Sequence, residues 1–164
     1  MTCFEIDKAI ADITKEKYNE CKKRLEAIPR ENTAEKKAVQ IELGMYTFCC
    51  DAGLLFMLSH EDCMTRRLHI MGQIIPRYPS LNNIYSNLSD DEKTRFAASL
   101  QAEIFIRDTW LNQQYAELMC AKEANHTQSI FELNIKIGAV KGMFAAWEAW
   151  RIENNVYPHI FEEA

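Results

Sequence analysis

A chain of 164 residues, 48% apolar and 26% charged, has the composition of one globular domain, long enough to bury a core without disulfide or metal staples. Its net charge of −5 excludes a surface built for nucleic-acid backbones, which requires concentrated basic charge. Five glycines and four prolines are too few for the frequent turns of a β-sandwich, so long helices are expected.

The start, Met1-Thr2-Cys3-Phe4-Glu5, has no basic stretch leading into an apolar one, so no secretory signal is read and a cytoplasmic location is expected. Thr2-x-x-Glu5 is a capping box. It predicts a helix over 3–28, whose apolar positions Ile6, Ile10, Ile13, Cys21, Leu25 and Ile28 recur in helical steps until Pro29 stops it. Asn32-x-x-Glu35 is a looser start signal for a second helix over 33–60. From Val39 to Leu58 that helix is apolar nearly all round, which predicts the most buried helix of the set. Glu42 and Asp51 lie inside the 18-residue run Ile41 to Leu58. An acidic residue near a bilayer centre costs roughly 2.5–3.5 kcal/mol, so a core helix is expected and not a membrane span.

Pro76 and Pro79, with Ser80, Asn82, Asn83, Ser86 and Asn87 around them, change the pattern. Residues 61–88 are read as a crossover, with a short helix from Glu61 to Ile75 and a turn or two of helix around Leu81 to Leu88. Ser89-x-x-Glu92, with Asp90 and Asp91 at the positive end of the helix dipole, opens a long helix over 89–124. Its stripe is Phe96, Leu100, Ile104, Leu111 and Leu118. No proline falls between Ser89 and Asn154, yet one straight helix of that length would run about 95 Å. The polar run Asn125 to Ser129 is therefore read as a turn, and the last helix as 128–153.

These elements predict a single all-α domain over 1–164, a four-helix bundle with one long crossover carrying a short helix; an irregular five- or six-helix domain is the alternative. In the last helix Gly138 and Gly142 are four apart, with Ala145 and Ala149 continuing their face. Two glycines inside a helix cost roughly 1 kcal/mol each relative to alanine, so close helix packing is expected there.

Chemistry is sparsely marked. The six cysteines (Cys3, Cys21, Cys49, Cys50, Cys63, Cys120) are scattered and several fall on apolar faces, so reduced thiols are expected. Glu-x-x-His occurs once, as Glu123-x-x-His126, where a di-iron bundle needs it twice. Arg151 of Glu148-x-x-Arg151 puts a cation where a ligand would stand. Soft ligands come closest to a set at His60, Cys63 and Met64, with Met57 and Met71 at helical spacing, but methionines so spaced are the usual filling of a core. Neither a metal nor another cofactor is expected, and no phosphate loop, dinucleotide fingerprint or nucleophile elbow occurs. The basic group Arg66, Arg67, His69 and Arg77 reads as a solvated face.

Charges on apolar faces are the informative oddity. Asp51 sits among Phe48, Cys49, Cys50, Leu54 and Leu55; Glu103 and Arg107 are four apart on the core side of their helix; Lys141 interrupts an apolar stretch. Asp51, Glu103, Arg107 and Lys141 are expected to form a buried polar network, or else to line a pocket between helices. The leading functional expectation is a non-enzymatic interaction or scaffold domain, a homo-oligomer with protein partners, touching neither nucleic acid nor membrane. Trp147, Trp150, Tyr157 and Phe161 are its expected contact residues. The alternative is a small-molecule or metal-binding bundle with a polar inter-helix pocket, and a hydrolase ranks last.

Overall fold

A computed structural model of the chain describes residues 1–54, 68–69 and 71–156. Among these residues every regular element is helical, and the chain is all-α. Helix α1 spans Cys3–Ala27 and α2 spans Thr33–Leu54. Residues 71–74 are helical and lead through a 3-10 turn, Ile75–Arg77, into the short α3, Pro79–Ser86. Helix α4 (Asp90–Ile106) continues through a π turn (Arg107–Leu111) into α5 (Asn112–Glu123), and α6 spans Thr127–Glu153. The expected continuation of α2 to residue 60, and most of the short helix expected after it, lie outside the described residues. So do His60, Cys63 and Met64.

The ends are set by local hydrogen bonds. At the start of α1 the Glu5 amide donates to Thr2 Oγ1 at 3.2 Å and the Thr2 amide to Glu5 Oε2 at 2.7 Å. Ser89 and Glu92 make the same reciprocal pair ahead of α4, at 3.3 and 3.1 Å, satisfying donors that a helix leaves without intrahelical partners. The C-terminal ends of α5 and α6 use asparagine where glycine is more usual. Asn125 and Asn155 take φ of 55° and 54°, and just beyond them the His126 amide donates to the Ala121 carbonyl and the Val156 amide to the Arg151 carbonyl. These are the six-residue closures of a Schellman motif.

Helix α1 packs on α2, α4 and α6; α2 packs on α4 and α6; α5 and α6 form an antiparallel hairpin. Ile6, Ile10, Val39, Cys49, Ala98, Ala102, Val140, Met143, Phe144 and Trp147 lie in the main core. A second core joins Met71, Ile74, Ile75 and Leu81 to Phe96, Leu100 and Ile104. Helix α4 is thus clasped on both sides, and from Phe96 to Ile106 only Phe105 escapes full burial. This corrects the expectation that α2 is the most buried helix: Gly44, Thr47 and Asp51 of α2 face solvent. Apolar content misleads here because Ala97, Ala98, Ser99 and Ala102 make α4 narrow, and a narrow helix is the one that neighbours approach from every side.

Two further expectations are corrected. Gly138 and Gly142 do not mark a close helix approach, since a methyl group at either would meet no atom within 4 Å, and Ala145 and Ala149 on their face are exposed. Trp147 is not a contact residue on the surface but is 1% exposed in the main core; Trp150 is half-buried. The helix expected over 89–124 is helical from Asp90 to Glu123, with the π turn inside it. No helix among the described residues is long and apolar enough to cross a membrane.

Candidate functional site

Two polar features lie side by side along α4. The first is an ion triad. Glu103, 2% exposed, accepts from Arg107 Nε at 3.0 Å on one oxygen and from Arg151 Nη2 at 2.8 Å on the other. Arg151 Nη1 also donates to the Ser99 carbonyl at 3.2 Å, and the Arg107 guanidinium lies 4.5 Å from the centre of the Phe144 ring. A carboxylate this deep is tolerable only with both oxygens engaged. The pair Glu103–Arg107 that helical spacing suggested is formed, but the third member is Arg151, which the sequence reading had set aside as a misplaced metal ligand.

The other two expected members stand elsewhere. Asp51 is exposed, so its place in a buried network is withdrawn; an aspartate on a mostly apolar helix occupies the narrow face that water reaches. Lys141 is half-buried, and ten residues separate it from Arg151, roughly 15 Å along α6 at 1.5 Å per residue. The π turn that starts at Arg107 is anchored from outside by Arg77, whose Nη1 reaches the Asp108 oxygens at 2.8 and 2.6 Å. On α2 the Phe48 ring centre lies 5.6 Å from that of Trp110.

The second feature is a cavity of about 220 Å3 between α1, α2, α4 and α6. Ile10, Ala11, Ala98, Ala102 and Trp147 give it an apolar wall, and Thr14, Ser99, Gln101, Cys49 and Cys50 contribute the polar atoms. Among the described lining residues Lys15 alone is exposed, beside half-buried Asp7, Ala11 and Cys50, and this side is taken as the mouth. The space follows from composition: three alanines face one another where larger residues would meet.

The polar atoms are held in a fixed arrangement. Thr14 donates to the Ile10 carbonyl at 2.7 Å and accepts from Trp147 Nε1 at 3.0 Å. Ser99 donates to the Phe96 carbonyl at 2.9 Å. Gln101, 6% exposed, donates through Nε2 to Asp7 Oδ1 at 3.1 Å, while its Oε1 has no hydrogen-bond partner. Burial pushes the Cys49 thiol up to about 12. Burial also raises Cys50, helped by the neighbouring Asp51 carboxylate. Both thiols are therefore protonated at neutral pH, neither nucleophiles nor ready metal ligands.

Sequence reasoning missed this cavity, and only the alanines of α4 and the buried Thr14 hinted at it. The described cysteines (Cys3, Cys21, Cys49, Cys50, Cys120) are all free, and no cluster of three metal-ligating side chains occurs among the described residues. Glu123 and His126 are exposed at the α5–α6 turn. No family model, no curated protein and no solved structure matches the chain.

Proposed function

We propose that the protein is a small-molecule-binding helical domain, a four-helix bundle that holds its ligand between α1, α2, α4 and α6. The observation that carries this reading is the cavity itself, about 220 Å3 with its mouth at Lys15. Packed interiors rarely keep a void larger than a water. An apolar space of about 150 Å3 is already enough to take up benzene in an engineered case, whereas drug-sized ligands occupy roughly 300–1,000 Å3. The ligand is accordingly a compact molecule of one or two rings, or an aliphatic of similar bulk. The charged residues of the wall, Asp7 and Lys15, are half-buried and exposed, while its buried members are apolar, hydroxyl, thiol and amide groups, so an uncharged ligand suits the buried part.

Thermal unfolding with benzene tests this. At ten times its dissociation constant a ligand adds about 1.4 kcal/mol, which at this chain length raises Tm by roughly 3–6 °C. Ala102→Leu, which places a larger side chain in the cavity, should abolish the shift. No shift for the wild-type protein in benzene-saturated buffer would sink the proposal.

A second reading, a homo-oligomeric scaffold, is favoured by exposed Tyr115 and Met119 on α5 and Phe131 on α6. Apolar residues exposed in ones and twos are ordinary on soluble surfaces, so it ranks second. A sizing column showing a dimer that Met119→Glu dissolves would promote it.

A further inference from the structure

We infer that the ligand of this cavity is a hydrogen-bond donor, a compact aromatic or aliphatic molecule bearing N–H or O–H, recognised by Gln101; the inference rests on the ligand-binding reading above. The hydroxyl and indole hydrogens of the buried wall are already committed. Thr14 and Ser99 spend their hydroxyl hydrogens on backbone carbonyls of their own helices, and the Trp147 N–H is spent on Thr14. The thiols of Cys49 and Cys50 are weak donors. What the buried wall retains, besides the second amide hydrogen of Gln101, are acceptors; the Lys15 ammonium stands at the exposed edge.

Gln101 is the decisive one. Asp7 can only accept when ionised, so the amide nitrogen of Gln101 must face it, and the 3.1 Å contact fixes which end of the amide is which. The opposite end, Oε1, is then a buried carbonyl oxygen without a partner. Such an acceptor destabilises the protein until something donates to it. It is closed to solvent, so the inference requires a turn about the soft terminal torsion of the glutamine, one that presents the oxygen to a ligand lying against Ala98 and Ala102. A ketone, ester or ether of the same shape would present a second acceptor to this oxygen.

Indole and benzofuran form a matched pair for the test, alike in size and differing in N–H against ring oxygen. Calorimetric titration should show wild-type protein binding indole about tenfold more tightly than benzofuran, the effect of one hydrogen bond to an otherwise unsatisfied group. In Gln101→Leu the preference should fall to near one, and Gln101→Met gives the same readout if the leucine variant does not fold. Equal or tighter binding of benzofuran by the wild type overturns the inference while leaving the cavity as a binding site. An indole preference that persists in both variants overturns the assignment to Gln101. Binding of neither compound removes the ligand-binding reading and this inference with it.

Discussion

The ion triad and the cavity are neighbours on one helix, and they differ in the space left beside buried polar groups. Around Glu103 two arginines, a backbone carbonyl and an aromatic face fill the space, and both carboxylate oxygens are used. One turn earlier, Ser99 and Gln101 border about 220 Å3 of space, and the Gln101 oxygen has no partner. Arg151 Nε is left without a partner there, but the charges are packed on every side, and such packing fixes how helices sit together. Polarity beside space, with one acceptor left over, is what a binding wall offers. Burial alone does not tell the two regions apart, because Glu103, Ser99 and Gln101 are all buried.

The largest expected break in this comparison is Glu103→Ala. It leaves Arg151 buried without its carboxylate and should cost about 3–5 kcal/mol in urea unfolding, as breaking other buried pairs does. A loss under about 1 kcal/mol would mean that the triad holds little. Thr14→Val comes next: it strips the Trp147 N–H of its acceptor inside the main core, with an expected cost of about 1–3 kcal/mol. By contrast Ala102→Leu should change stability by less than about 1 kcal/mol, since the added carbons enter existing space, whereas overpacking a closed core costs about 1–3 kcal/mol. A large loss there would show that the cavity wall is as rigid as the triad.

Smaller still, Gly138→Ala and Gly142→Ala should each stabilise the protein by about 0.5–1 kcal/mol, because the helix loses flexible residues and nothing stands in the way of the methyl group. Destabilisation by either would restore the close packing that the sequence suggested.

Much of the architecture was legible in the residues because helix ends are local. Thr2 with Glu5 and Ser89 with Glu92 act within four residues, and both capping boxes form. The polar run after Ala124 marked the turn for the same reason. What stayed hidden depends on which helices meet. Glu103 and Arg151 are 48 residues apart, and no periodicity along one helix names a partner on another. The π turn left no sign either, since Arg107, Asp108 and Trp110 suit an α-helical pattern equally well. Gln101 looked like any surface glutamine until Asp7, 94 residues away, gave its amide a direction. A void cannot be read from one chain at all, because Ala11 on α1 and Ala98 and Ala102 on α4 open space only by facing each other.

Crystals pressurised with xenon test the contrast between the two regions most directly, since xenon enters apolar cavities of this size and is excluded from packed interiors. The account predicts one strong xenon peak between Ile10, Ala98, Ala102 and Trp147, and none beside Glu103, Arg107 and Arg151. A wall closed on itself with no xenon at that position, or xenon seated against the triad, would contradict it.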